Sequence, residues 1–146
     1  MLGFDFGRVH VGVAIGQTVT GTASPLGTLS RKSKPRLWEA IGDLVRTWQP
    51  ALLVVGDPLN MDGTEQTITR EARRFARQLE GRFSIRVALA DERLSTVEAR
   101  YRKSRPRPGR ASTKGGGEGA ESGEHARAAQ VILESWFHDS LPRDLP

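Results

Sequence analysis

The chain has 146 residues, a formal net charge of +5 and no cysteine. This length fits one domain with a single core that needs no covalent staple. The lack of cysteine excludes disulfides and thiolate metal sites, and it is compatible with a reducing cytosol. No apolar run approaches the roughly 18 residues of a membrane span, and no signal peptide precedes the first strand pattern, so we expect a soluble, cytoplasmic protein. The pI of about 10.4 favours a polyanionic partner, although a modest basic excess is often only a solvated surface.

The stretch 2–16 (LGFDFGRVHVGVAIG) predicts a β-hairpin with an acidic residue inside an apolar strand. Charged residues are depleted in strands, so Asp5 needs a counter-charge, a metal ion or a solvent-filled cleft. Glycines at positions 3, 7 and 12 weaken a strand unless another backbone or a ligand comes close, and they suggest an open mouth above the sheet. A buried pair between Asp5 and Arg8, or a plain turn position for Asp5, is the simpler alternative.

Helices and strands alternate along the rest of the chain. Pro25 places the third strand at a sheet edge or forces a bulge. Gly81 is the residue expected just after the second helix. The predicted elements after the hairpin are a strand over 20–29, a helix from Ser33 to Pro50, a buried strand over 51–56, a helix over 65–79, a strand over 83–90, a helix from Ser95 and a last helix over 124–137.

Three helix faces carry further expectations. The small pair Ala128–Ala129 lets the last helix pack closely on the sheet. The second helix has a basic outer face, which could track a phosphate backbone, but glutamates lie nearby and we interpret it as an ordinary solvated face. Its basic residues are Arg70, Arg73, Arg74 and Arg77. The first helix should bury Leu37, Ile41, Leu44, Val45 and Trp48.

Residues 100–117 (RYRKSRPRPGRASTKGGG) hold seven basic residues and no acidic one, with prolines and glycines that forbid regular structure. The length of this stretch argues for a substrate-binding flap or for disorder. We predict a single domain over 1–140, in which 100–123 is a mobile basic loop, followed by a frayed tail over 141–146. The charge of the loop makes it the main phosphate-contact candidate, through Arg100, Arg102, Lys103, Arg105, Arg107, Arg110 and Lys114.

Acidic residues fall on or after three of the predicted strands. Asp5 lies on the first strand, Asp57 follows the fourth, and Asp91 and Glu92 follow the fifth. Carboxylates held together repel one another unless divalent cations neutralise them, and oxygen ligands of this kind suit Mg²⁺ or Mn²⁺. Beside a basic loop, this arrangement predicts metal-assisted attack of water on a phosphodiester.

Three strings carry a family resemblance: FDFGRVHVGVAIG, VVGDPLNMDGTEQ and DERLSTVEAR. They resemble the motifs of the YqgF family, also called RuvX, the Holliday junction resolvase-like proteins with an RNase H-like fold. The resemblance implies an α/β protein whose five-stranded mixed sheet, in the order 3-2-1-4-5, is flanked by helices. It also implies a bacterial cytoplasmic nuclease proposed to mature the 5′ end of the 16S ribosomal RNA precursor. Resolution of four-way DNA junctions is the older suggestion.

Position by position, the resemblance implies that Asp5 and Glu92 are two acidic residues of the site. Members usually have a third, an aspartate three residues before the small pair of the last helix, and that position here is His125. Either His125 takes the role as an imidazole ligand, Glu124 substitutes, or the site is weakened. We therefore assign catalysis and metal binding to Asp5, Glu92 and His125, with Asp57, Asp91 and Glu124 as secondary candidates. An imidazole ligand predicts a preference for Mn²⁺ over Mg²⁺.

The remaining positions have competing interpretations. Asp57 either adds a carboxylate to the site or caps the turn before Pro58. Arg8 and His10, in the hairpin turn, are candidates for phosphate contact. Arg93 is a further nucleic-acid candidate, although it can instead fix the neighbouring carboxylates by charge-assisted hydrogen bonds.

Three functions compete at this point. The first is a metal-dependent nuclease acting on structured RNA, for which a ribosome precursor is the implied partner, or on branched DNA. The second is a nucleic-acid-binding factor without catalysis, which the absent third aspartate favours. The third, a sugar kinase or actin-like ATPase, needs a second, duplicated domain, and 146 residues leave no room for it.

Overall fold

The computed structural model describes residues 1–93 and 117–140, with side chains described for 1–91 and 123–138. The helix predicted from Ser95, most of the predicted basic loop and the predicted tail lie outside these residues. The elements in chain order are β1 (Leu2–Phe6), β2 (His10–Gln17), β3 (Thr22–Ser30), α1 (Lys34–Trp48), β4 (Leu53–Leu59), α2 (Thr67–Phe83), β5 (Val87–Arg93) and α3 (Gly117–Ser140).

The five strands form one mixed sheet in the order β3-β2-β1-β4-β5. β1 pairs antiparallel with β2 and parallel with β4, and β5 pairs parallel with β4. The predicted order 3-2-1-4-5 is therefore confirmed. β3 lies at an edge, and the register of the β2–β3 ladder shifts between Val13 and Ala14, where it passes from Gly27 to Pro25. Both expectations from Pro25, an edge and a bulge, are met.

Each face of the sheet has its own apolar core. On one face, side chains of α1 and α2, including Ile41, Phe75 and Leu79, pack with Phe4 and Val55 of the strands. On the other face, α3 covers smaller strand residues, and the core there consists of Ala14, Ala23, Val54, Ala90, Ala129, Ile132, Leu133 and Phe137. Alternation along β1 therefore assigns Phe4 and Phe6 to the first face and Asp5 to the α3 face.

α1 begins and ends as its sequence predicts. The side-chain hydroxyl of Ser33 accepts a hydrogen bond from the N–H of Arg36, and proline lies in the first turn. The helix stops at Trp48, where Gln49 takes a left-handed conformation before Pro50. The prediction that Trp48 is a core residue is wrong, because 43% of it is exposed and it lies outside the packed set around Ile41.

Several predicted boundaries shift because tertiary contacts extend the elements. α2 runs through Gly81 to Phe83, whose ring packs near that of Trp38 at 6.3 Å. The left-handed residue at the end of the helix is therefore Ser84 and not the predicted Gly81. β4 continues to Leu59 and β5 to Arg93 because the two strands pair along their whole lengths. Residues 117–123, assigned in the prediction to a loop, belong to α3.

Glycines let α3 lie directly on the sheet. A Cβ atom on Gly12 would stand 1.9 Å from the backbone oxygen of His125, and one on Gly3 would stand 2.4 Å from Cγ of Leu133. The open mouth predicted above the sheet is therefore absent at Gly3 and Gly12, where α3 fills the space, and the alternative that another backbone comes close is met at Gly12. Ala128 and Ala129 are buried against the strands, which confirms the close packing expected from this pair.

Within the described part of the chain, none of the helices has the length and apolar character that crossing a membrane requires.

Candidate functional site

Asp5 lies in β1 opposite Gly12 of β2, on the face covered by α3. Its side chain is 29% exposed, so the carboxylate reaches solvent although both sequence neighbours are buried phenylalanines. Gly12 has no side chain to shield the carboxylate. The backbone of α3 at His125 and Ala126 passes over Gly12. The strand pleat thus places one carboxylate at the rim between the sheet and the last helix.

His125 is the neighbour that α3 brings to this carboxylate. Its Nδ1 atom is 3.9 Å from Oδ2 of Asp5, and its side chain is 27% exposed. The ring of His10 lies beside it, with a centroid distance of 5.1 Å and an angle of 39° between the ring planes. Asp5 therefore belongs to a partly solvent-exposed acidic site beside an imidazole. Arg8 is exposed, which does not support the alternative of a buried pair between Asp5 and Arg8.

The hairpin turn that carries Arg8 and His10 is held by Arg31. One guanidinium nitrogen of Arg31 donates to the carbonyl oxygens of Gly7 at 2.7 Å and of Arg8 at 2.9 Å. The guanidinium also lies over the ring of Phe6, 4.2 Å from its centroid. Sequence reasoning missed this residue, because nothing local links position 31 to a turn 23 and 24 residues earlier.

Asp57 is buried and serves a different contact from the two predicted for it. Its two carboxylate oxygens accept hydrogen bonds from Nε and NH2 of Arg73, at 2.8 and 2.9 Å, and Arg73 also donates to Glu65 at 2.8 Å. Hydrogen bonding to Asp57, supported by its charge and by Glu65, raises the pKa of the Arg73 guanidinium and keeps it charged. The structure therefore does not bring Asp57 to Asp5, and its partner α2 lies on the other face of the sheet.

The loop after β4 is closed by its own side chains. Nδ2 of Asn60 donates to the hydroxyl of Thr64 at 2.9 Å, and a carboxylate oxygen of Asp62 accepts from the Thr64 N–H at 3.0 Å. The hydroxyl of Thr69, which is fully buried, donates to the carbonyl oxygen of Pro58. These bonds give Asn60 a structural role in shaping the loop.

Backbone register places the DER string at the same edge of the sheet as Asp5. In the parallel ladder between β4 and β5, Asp57 is opposite Asp91, Pro58 is opposite Glu92, and Leu59 is opposite Arg93. Asp91 is exposed, and Glu124 is partly buried beside His125 on α3. The side chains of Glu92 and Arg93, and all of the basic positions from Arg100 to Lys114, lie outside the described residues.

Comparison with known proteins decides the family. A family model described as "RuvX: Holliday junction resolvase" matches residues 1–139. The chain belongs to the RuvX family. A relative from Proteus mirabilis (strain HI4320) is 49% identical over 137 residues, which cover 94% of each chain. A relative from Yersinia pestis (strain Pestoides F) is 50% identical over 140 residues, which cover 95% of this chain and 94% of the relative. Both carry the name "Putative pre-16S rRNA nuclease".

The fold of this RuvX chain resembles that of two solved RuvC structures. A structure titled "T. thermophilus RuvC in complex with Holliday junction substrate" superimposes with a TM-score of 0.50 and 17% identity, covering 94% of both chains. A second RuvC structure from Thermus thermophilus superimposes with a TM-score of 0.50 and 16% sequence identity. At this identity the likeness concerns the fold alone. It agrees with the sheet order of the RuvX chain and confirms the predicted RNase H-like architecture.

The donor atoms present suit a divalent ion only in part. Among the side chains that the structure describes, no group of three or more His, Asp or Glu residues is arranged to hold a metal. Asp5 and His125 supply one carboxylate and one imidazole, a pair compatible with Mn²⁺ and, less well, with Mg²⁺. A complete site in this RuvX chain thus needs at least one further ligand from beyond those side chains.

Proposed function

We propose that this RuvX-family chain is a nuclease that uses a divalent metal ion to hydrolyse phosphodiester bonds, acting in the cytoplasm as one domain over 1–140. The observation that carries the proposal is the pair Asp5 and His125, 3.9 Å apart and about equally open to solvent at the carboxyl edge of β1. Nucleases need such donors where a phosphate can approach, and this rim meets that need.

The third ligand in this proposal is Glu92. β5 continues two residues past Ala90, a residue of the α3-side core, so strand alternation assigns position 92 to the same face as Asp5. Asp5, Glu92 and His125 would hold Mg²⁺ or Mn²⁺, and Glu124 or Asp91 would be the reserve ligand. When bound, the ion supplies a Lewis acid that lowers the pKa of a coordinated water.

The protein's own side chains would position the phosphate of the substrate. His10 places a second imidazole within 5.1 Å of the His125 ring, where its N–H can donate to a phosphate oxygen. Arg8 is exposed on the turn that Arg31 fixes, so its guanidinium is available for a charge-assisted bond to the backbone. Arg93 and the basic positions 100–114 extend the same role in this proposal.

The substrate that we propose is structured RNA, with the 5′ end of the 16S ribosomal RNA precursor as the specific case. The names of the Proteus and Yersinia relatives support it. The second candidate is branched DNA, which the description of the matching family model favours. A factor that binds nucleic acid without cutting is the third candidate, and the absence of a third described ligand favours it.

The test is cleavage of two labelled substrates, a 5′-extended ribosomal RNA precursor fragment and a four-way DNA junction, in EDTA, Mg²⁺ and Mn²⁺. Wild type is compared with Asp5→Asn, and Arg86→Gln serves as a surface control because this arginine is exposed just before β5, at the opposite edge of the sheet. Metal-dependent cutting that disappears only in Asp5→Asn supports the proposal and selects the substrate. Binding without cutting by the wild type would replace it with the non-catalytic factor.

A further inference from the structure

The outer face of α2 carries three arginines in a line. Arg70, Arg74 and Arg77 are exposed, and their side chains make no hydrogen bond or ion pair to another described residue. At about 100° per residue, their directions fall in a sector about 60° wide. Glu71 and Glu80 project on either side of that sector rather than within it. These three residues, named here the α2 stripe, therefore form a continuous basic line.

Another arginine of this helix shows that acidic partners are available nearby. Arg73 points to the sheet side of the stripe, where Asp57 and Glu65 neutralise it. The three stripe arginines lack such partners although like charges at these spacings destabilise a helix. An ordinary solvated helix face usually intersperses the two signs of charge, so an unpaired line of one sign is available to a counter-charge from outside the chain.

The α2 stripe starts at the edge of the sheet where Asp5 lies. α2 follows the loop that leaves the carboxyl end of β4, a strand parallel to β1, so its first turn stands at that edge and the helix runs back along the sheet. At a rise of about 1.5 Å per residue, Arg70 to Arg77 spans about 10 Å. This length matches about three nucleotide steps, since each strand of a duplex has one phosphate per roughly 3.4 Å.

We infer that the α2 stripe is a second contact surface for the phosphodiester backbone, holding the part of a nucleic acid that continues past the Asp5 rim along the α2 side. The identity of the nucleic acid, though not the charge argument, rests on the proposed function. Arginine suits this role because its planar, permanently charged guanidinium binds a phosphate in a bidentate manner. The surface contributes affinity without sequence preference, as backbone contacts do.

The test compares two triple variants that change the net charge equally. The matched control lies at the opposite edge, where α1 ends and β5 begins, and its arginines are exposed and outside the stripe. Binding to structured RNA and to a four-way DNA junction is measured in EDTA, in an Asp5→Asn background, between about 50 and 200 mM salt. The two variants are Arg70→Gln/Arg74→Gln/Arg77→Gln and Arg46→Gln/Arg82→Gln/Arg86→Gln.

We expect the stripe variant to lower the magnitude of the slope of log affinity against log salt by about 2.1–2.7, since each of three lost phosphate contacts removes about 0.7–0.9. The control variant should change the slope by less than half of that. Equal changes in both variants would show a bulk charge effect and overturn the inference, as would an unchanged slope in the stripe variant. If circular dichroism shows that the triple variant does not fold, the three single variants test the inference. Each should lower the magnitude of the salt slope by about 0.7–0.9.

Cleavage separates this inference from the proposed function. On a substrate too short to reach the stripe, the stripe variant with Asp5 intact should keep its kcat, while on long RNA its KM should rise. If the wild type does not cut but the stripe variant shows the lower salt slope, the nuclease proposal fails and the α2 stripe stands. If the wild type cuts and the slopes of the two triple variants coincide, the nuclease proposal stands and the stripe is overturned.

Discussion

Gly12→Ala offers the most direct test of the Asp5 site. The added Cβ would stand 1.9 Å from the His125 carbonyl oxygen, 2.3 Å from its carbonyl carbon and 3.0 Å from the N–H nitrogen of Ala126. Ordinary contact begins at 3.4 Å, so the helix must retreat by 3.4 − 1.9 = 1.5 Å to restore it. All three atoms belong to the backbone, and therefore no rotation of a side chain can relieve the clash.

This retreat changes both catalysis and stability. Moving the start of α3 by that amount carries His125 away from Asp5, where the gap is already 3.9 Å. Because a misplacement of about 1 Å can cost about a hundredfold in rate, we expect kcat/KM for metal-dependent cleavage to fall by at least about that factor. Overpacking of this kind also costs about 1–3 kcal/mol of the free energy of unfolding.

Two other glycines provide matched controls. Gly3→Ala presses on the same helix but meets the buried side chain of Leu133 and no backbone atom, whereas Gly27→Ala meets nothing within 4 Å. We expect Gly3→Ala to lower stability while retaining most activity, and Gly27→Ala to change neither. Urea denaturation and cleavage kinetics measure the two effects separately, and a crystal structure gives the Asp5–His125 distance. Wild-type kcat/KM in folded Gly12→Ala, with that distance unchanged, would refute the reasoning.

Four further outcomes follow from single contacts. His125→Asp should move the preferred ion from Mn²⁺ toward Mg²⁺, since a carboxylate replaces an imidazole, and parallel activity titrations that coincide with wild type would contradict a ligand role. Arg73→Met should lower the urea midpoint by leaving the buried Asp57 carboxylate without its cation, and adding Asp57→Asn should recover part of the loss. Arg31→Met should cost about 2 kcal/mol in urea unfolding through two lost bonds to carbonyl oxygens, and no loss would show the hairpin to be self-supporting. Gly81→Ala should add about 1 kcal/mol, because the position is helical, exposed and open; a decrease would count against the α2 boundary.

The sequence predicts the elements better than their ends. Ser33 and Pro50 bracket α1 because capping and helix breaking are local effects, and both appear in the structure. Gly81 fails as a helix stop because the packing of Phe83 near Trp38, a contact between distant segments, carries α2 one turn further. The order of the strands came from the family resemblance, since alternation alone does not say which strands pair.

The candidate site likewise contains features that the sequence predicts and features that it does not. Asp5 is visible in the sequence because an aspartate inside an apolar strand violates the ordinary composition of strands. The pairing of Asp57 with Arg73 is not visible, because 16 residues separate them and either could equally face solvent. The glycines at positions 3 and 12 predict that something approaches the strands closely. The sequence pattern cannot show whether a ligand or a helix fills that space, and the structure shows that a helix does.

The contact between Gly12 and α3 joins the two ends of the chain, so it forms late in synthesis. Asp5 and His125 stand 125 − 5 = 120 positions apart in the chain. The sheet residues around Asp5 are synthesised early. The His125 imidazole reaches Asp5 only after the last helix has been synthesised and has packed against Gly3 and Gly12. A nascent chain therefore carries the carboxylate without its partner for most of translation. In the proposed nuclease, the two ligands Asp5 and His125 therefore come together only after the last helix has been made.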